Sequence, residues 1–240
     1  MELEFIKDKV YYKIFDRTYT ASSGIYSEHK YNDATKIAEL RQNISNIESE
    51  YAPSKLCILK QVHGNDVVYA SGRGQEADGS VTTDANMALS VLTADCVPVL
   101  FASADGIVIG AAHCGWKSAK ADIIDNIDKM MKAKGATNIK AIIGPSIQQD
   151  SYEVDSAYYS NFIADDDAYK SLFVPSKKPG YYMFDLPGYV ASKLEKAGIE
   201  LFLHVAEDTY SMQEKYPSCR RSYNKGEQFS QNILSTIIIR

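Results

Sequence analysis

The sequence has no apolar run long enough to cross a bilayer, no CxxC pair and no block of like charge. Its most apolar stretch, residues 88–102, falls short of the roughly 20 residues a membrane helix needs and carries Asp95, so no transmembrane helix is expected. Residues 1–12 alternate charged with apolar side chains instead of gathering an apolar core; no export signal is expected, and the cytoplasm is the expected compartment. Basic charge is in deficit, with 26 Lys and Arg against 31 Asp and Glu and a net charge of −5. Neither a nucleic acid nor an anionic membrane is therefore the expected partner, and a small molecule is. The four cysteines, Cys57, Cys96, Cys114 and Cys219, fit free thiols or ligands better than a disulfide framework, and their spacing gives no zinc knuckle. Prolines are scattered, and no repeat or low-complexity linker divides the chain. One domain over residues 1–240 is expected, with an ordinary globular composition of 45% hydrophobic and 24% charged residues.

What is present is a mixture of helix and strand patterns. Ile37, Leu40, Ile44 and Ile47 recur at helical spacing behind Asn32 and Asp33 as caps, which predicts a helix over 33–49. Residues 55–62 read as a strand ending at His63-Gly64-Asn65, with 67–70 returning as its partner. Short apolar strands are expected at 88–93, 97–102, 107–112 and 139–143. A helix over 118–134 should stop at Gly135, and another is expected near 154–163. Asp185, Pro187 and Gly198 frame a further helix before a strand at 200–205. The order predicts an α+β fold, a mixed central sheet region flanked by helices.

Histidine is scarce, with four in the chain, and two of the four end predicted strands: His63 after KQV and His113 after GAA. Cys96 sits at a third such point. One Cys and two His from separate strand ends can bind zinc with a coordination position left open, as catalytic zinc needs. The same residues also suit a metal-free nucleophile: Cys96 activated by His113, with Asp95 or His63 orienting the ring. The amides opening the helix after Trp116, with Lys117 in that turn, would favour an anion in either case.

The runs QVHG at 61–64, ADG at 77–79, LTADCVPVLF at 92–101, AHCGWKS at 112–118, GPSIQQDSYEV at 144–154 and CRRS at 219–222 occur in order. In combination they resemble the polyphenol-oxidase or laccase-domain family, also described as purine nucleoside phosphorylases and, in some bacteria, as a peptidoglycan editing factor. The resemblance implies a cysteine-hydrolase-like fold, and it implies that His63, Cys96 and His113 ligate a metal, usually zinc, with copper the lesser alternative. Asn43 lies where the family has an Asn-Arg pair near the nucleoside, but Ile44 follows it here. The family's GWRG is Gly115-Trp116-Lys117-Ser118, which keeps a cation without arginine's bidentate fork. The arginine pair near the C-terminus is kept as Arg220 and Arg221, and the Gly-rich N-terminal signature is reduced to Ala21-Ser22-Ser23-Gly24.

The implied activity is phosphorolysis of adenosine, inosine or guanosine, extending to methylthioadenosine. Phosphate would lie on Lys117, Arg220 or Arg221, and adenosine deamination would need a carboxyl from Asp95, Asp78 or Glu153. Two alternatives stand beside it: a thiol or metal amide hydrolase editing peptidoglycan precursors, and a metal- or purine-binding module without catalysis. Four-copper laccase chemistry is not expected, because His29 and His204 are the only histidines beyond a first copper site.

Overall fold

The computed structural model describes residues 3–19, 34–52, 54–228 and 231–240. The elements in chain order begin β1 (Leu3–Ile6), β2 (Val10–Phe15), α1 (Ala34–Tyr51), β3 (Lys55–Cys57), β4 (Val67–Tyr69), β5 (Gly79–Thr82) and β6 (Met87–Thr93). There follow β7 (Val97–Ser103), β8 (Ile109–Cys114), α2 (Trp116–Lys120), α3 (Ile123–Ala133), β9 (Ile139–Ile143), β10 (Glu153–Asp155) and α4 (Ser156–Ile163). The last are β11 (Phe173–Pro175), β12 (Tyr181–Phe184), α5 (Leu186–Lys196), β13 (Glu200–His204), α6 (Cys219–Lys225) and β14 (Ile233–Ile239).

The apolar runs of β6, β7 and β8 do not alternate, and each strand is buried along its whole length, as strands covered on both faces must be. They belong to two different mixed sheets. One runs β1-β2-β14-β6-β3, the other β13-β9-β7-β8-β5-β4. Leu89, Val91 and Ile237 of the first sheet share a core with Leu100, Ile109 and Ile142 of the second. Leu40, Ile44, Ile47 and Tyr51 of α1 cover the outer face of the first sheet at Ala88, Leu234 and Ile238. On the second sheet, Ile124 and Ile127 of α3 and Val190 and Leu194 of α5 cover Val99, Phe101 and Ala141. The small third sheet, β10-β12-β11, carries an aromatic cluster with α4, in which Phe162 and Phe184 lie 4.8 Å apart. The architecture is α+β, with mixed sheets flanked by helices, as expected. Among the described residues, no helix is long and apolar enough to cross a membrane.

Several expectations are corrected. The strand read over 55–62 stops at Cys57, and residues 67–70 do not return against it. Instead β3 pairs with β6 in the first sheet and β4 with β5 in the second, both in parallel, because the chain between them crosses from sheet to sheet. The helix read over 118–134 is two helices, broken where Asp122 takes a left-handed backbone, φ 65°. Val154 belongs to β10, and α4 starts after Asp155, whose carboxylate accepts from Tyr158 N at 2.8 Å. Asp185 caps α5 as expected by accepting from Gly188 N at 2.8 Å. A Cβ at Gly188 would lie 2.2 Å from that carboxylate, so a side chain there would displace the capping group from its present position. The proposed caps Asn32 and Asp33 lie outside the described residues.

Candidate metal centre and its cleft

Two crossings between the sheets build the site. The turn from β6 to β7 delivers Cys96, and the segment from β3 to β4 delivers His63. His113, on β8 opposite Pro98 of β7, meets both. The crossings are tight: His63 and Asp95 take left-handed backbones, φ 60° and 84°. Non-glycine residues held there cost on the order of 1–3 kcal/mol each, and in both cases a buried carboxylate holds the turn.

At His63 the carboxylate is Asp78, which is fully buried. Its oxygens accept from the backbone amides of Val62 at 3.1 Å, His63 at 3.0 Å and Gly64 at 2.7 Å. The same group meets His113 Nδ1 at 2.7 Å, which turns the other ring nitrogen toward the thiol. Burial works against its charge, but the imidazole and the amides outweigh burial and hold Asp78 below the usual carboxylate range. At the second turn Asp95 accepts from Thr209 Oγ1 at 2.7 Å, Ser218 Oγ at 3.0 Å and Arg220 N at 2.6 Å. Ser218 and Arg220 tie this carboxylate to the start of α6 and Thr209 ties it to the preceding loop, while burial raises its pKa.

One ligand atom each from His63, Cys96 and His113 lies within 4.8 Å of the others. The imidazoles meet edge to face, 84° between planes and 4.8 Å between centroids. Burial pushes the Cys96 thiol up, but the charge and hydrogen bonds of His113 and then His63 overcome it, so the thiol ionises well below its ordinary value. Against its own burial, His113 is raised by Cys96 and Asp78. A thiolate and two oriented imidazoles are a nitrogen and sulfur donor set suited to a borderline-soft cation, and three ligands leave a fourth direction open. The cluster can thus hold a metal ion.

Gly115 makes the room. A Cβ there would stand 3.2 Å from Cys96 Sγ and 3.4 Å from His63 Cδ2. Its backbone, φ −67° and ψ 163°, is open to any residue, so alanine brings no backbone strain. Gly115→Ala is expected to bind a metal ion at this cluster about tenfold or more weakly, an order of effect known for disturbed ligand shells, while its melting temperature stays within a few degrees of wild type. Competition with a chromophoric chelator and a thermal melt measure the two.

The centre opens on a cleft of about 960 Å³. Trp116, Tyr152 and Tyr158 give it an aromatic wall, with the Trp116 and Tyr158 centroids 5.2 Å apart. Arg220 lies 4.9 Å over the Tyr152 ring, and its Nη1 donates to the Glu153 carbonyl at 2.7 Å. Lys178 and Tyr181 of the β11–β12 hairpin also line the cleft.

The residues singled out in the sequence separate here. His63, Cys96, His113, Asp95, Glu153 and Arg220 line the cleft, and Asp78 stands behind the histidines. Lys117, Arg221 and Asn43 are not among the described residues of the lining. Lys117 is exposed, its Nζ 5.6 Å from the Trp116 ring centroid. The Arg221 guanidinium donates to the carbonyls of Thr209, Tyr210 and Tyr216, closing the loop before α6. Asn43 is buried on α1. Cys114 packs in the core beneath α3, where burial pushes its thiol up. Residues 21–24 and His29 lie outside the described residues, and His204 ends β13 away from the lining. Sequence reasoning did not assign Trp116, Tyr152, Tyr158 or Lys178; the one signal for Tyr152 was its place within the GPSIQQDSYEV run.

Residues 12–235 match the family described as multi-copper polyphenol oxidoreductase laccase. A Rickettsia conorii protein named purine nucleoside phosphorylase is 48% identical over 238 residues, 98% of each chain. The Escherichia coli purine nucleoside phosphorylase YfiH is 31% identical over 74% of this chain and 73% of its own. A crystal structure of a Neisseria meningitidis DUF152 protein superposes with a TM-score of 0.84 at 23% identity, covering 100% of this chain and 98% of that one. That likeness carries the fold. The match along nearly the whole sequence carries the kinship: this chain belongs to the multi-copper polyphenol oxidoreductase laccase family.

Proposed function

We propose that the chain is a purine nucleoside phosphorylase that uses zinc held by His63, Cys96 and His113. The observation that carries this reading is the union of a three-ligand centre with a cleft that has an aromatic wall and a cation. The relatives named as purine nucleoside phosphorylases support the substrate class. Adenosine, inosine and guanosine are the proposed nucleosides, with methylthioadenosine a further one, and phosphate the second substrate.

Bound zinc would supply Lewis-acid chemistry at the open side of the centre. The chain's own residues do the rest. Trp116, Tyr152 and Tyr158 offer flat faces to a purine. Arg220 uses one guanidinium N–H on the Glu153 carbonyl and presents the others to phosphate, a role that passes over Lys117 and Arg221. Asp78 keeps both histidines in place while the base departs. For adenosine deamination, Glu153 is the candidate among Asp95, Asp78 and Glu153, since Asp78 does not line the cleft and Asp95 is taken up by Thr209, Ser218 and the Arg220 amide. Four-copper oxidation has too few histidines, four in all.

A second reading has its own support. A thiol lowered by a neighbouring imidazole is the nucleophile of cysteine hydrolases, so Cys96 and His113 also suit cleavage of an amide in a peptidoglycan precursor. Chelation separates the two. Metal-free protein is expected to release base from adenosine and phosphate at least about 100-fold more slowly, with zinc restoring the rate. Full turnover without metal, followed by chromatography, would overturn the zinc reading.

A further inference from the structure

Buried polar side-chain atoms almost always find a hydrogen-bond partner, so an orphan asks for an explanation. Seven such atoms lack one among the described residues. Two of them, Thr93 Oγ1 and Tyr158 Oη, belong to residues that line the cleft; the other five, Ser80, Ser118, Asp128, His204 and Ser235, do not. Thr93 is 1% exposed and ends β6, three residues before Cys96. Tyr158 sits in the first turn of α4, with its ring against Trp116. The Tyr152 phenol lies beside its hydroxyl but not in hydrogen-bonding geometry.

We propose that the Thr93 and Tyr158 hydroxyls are ligand-binding groups of the cleft that hydrogen-bond the uncharged polar edge of a purine base. The proposal rests on the purine nucleoside reading above and deepens it. Both groups are neutral hydroxyls that donate and accept, which matches the ring nitrogens and the amino or oxo substituent of a purine. Neither carries charge to hold phosphate, which falls to Arg220. Tyr158 lies within an aromatic wall suited to a planar ligand, and burial keeps its phenol protonated. A site whose buried polar groups await a partner discriminates strongly against ligands that lack one.

Removing an orphan hydroxyl costs the folded protein no bond. Tyr158→Phe and Thr93→Val keep shape and strand preference, so a ligand role and a structural role give opposite results. The zinc-loaded full chain is titrated with adenosine, inosine and inorganic phosphate, read by the fluorescence of Trp116, the single tryptophan. Each variant is expected to bind nucleoside about 3- to 10-fold more weakly, to bind phosphate as wild type does, and to melt at the same temperature or higher. Unchanged nucleoside affinity in both variants overturns the proposal, and so does a lowered melting temperature, which would reveal a partner within the protein. If wild type itself binds neither nucleoside, the purine reading fails and takes this assignment with it, a result distinct from unchanged affinity in the variants.

Discussion

Cys96→Ser is expected to lose its tightly bound metal and, with it, at least about 1,000-fold in nucleoside turnover. Zinc bound by a protein site is worth on the order of 10–16 kcal/mol at neutral pH, and one of three ligands carries roughly a third of that, about 3–5 kcal/mol or 10²–10⁴ in affinity. Serine is nearly the shape of cysteine, but its hydroxyl does not ionise in the range where His113 and His63 ionise the thiol. The fold has little reason to suffer. Cys96 is outside the three apolar cores, and the turn that presents it is tied down by Asp95 through Thr209, Ser218 and Arg220. Metal content by mass spectrometry, with base release by chromatography, checks both halves. Stoichiometric metal and a rate within about tenfold of wild type would remove Cys96 from the centre.

Asp78→Asn is expected to weaken zinc binding about 10- to 100-fold, the usual effect of losing a carboxylate behind a ligating histidine. Here one carboxylate serves two ligands, so the effect belongs at the upper end. Its oxygens accept from three consecutive amides around His63 and meet His113 Nδ1. Asparagine keeps one acceptor and turns an NH₂ toward groups that are themselves donors. With bonds to a buried charge lost and the left-handed His63 turn loosened, stability should fall by roughly 3 kcal/mol. Chelator competition and urea unfolding measure the two losses. A variant with wild-type zinc affinity would mean that the histidines are oriented by something other than Asp78.

The candidate centre was partly legible in the sequence, because β6 and β8 are short, mostly apolar runs, and the residues that follow the first and end the second, Asp95-Cys96 and His113, stand out. What the sequence could not convey was convergence. The apolar character of residues 55–62 persists past Cys57, although the chain has left its sheet, since Ile58 and Leu59 are buried in different cores while crossing. Asp122 breaks a helix with neither glycine nor proline to announce it. The pairing of β14 with β2 joins segments more than 200 residues apart, a contact without a local pattern. Arg220 and Arg221 are neighbours in sequence, yet the geometry of α6 sends the first to the cleft and the second to three carbonyls behind it. The aromatic wall draws on a few of 17 tyrosines, whose composition alone ranks none above another.

The most direct test is the product balance of the zinc-loaded chain with inosine and adenosine, with and without phosphate, beside Cys96→Ala. Free base and ribose 1-phosphate in equal amounts, formed only with phosphate and absent from Cys96→Ala, is the expected result. No base from zinc-loaded wild type, or base released equally without phosphate, would contradict phosphorolysis at this centre.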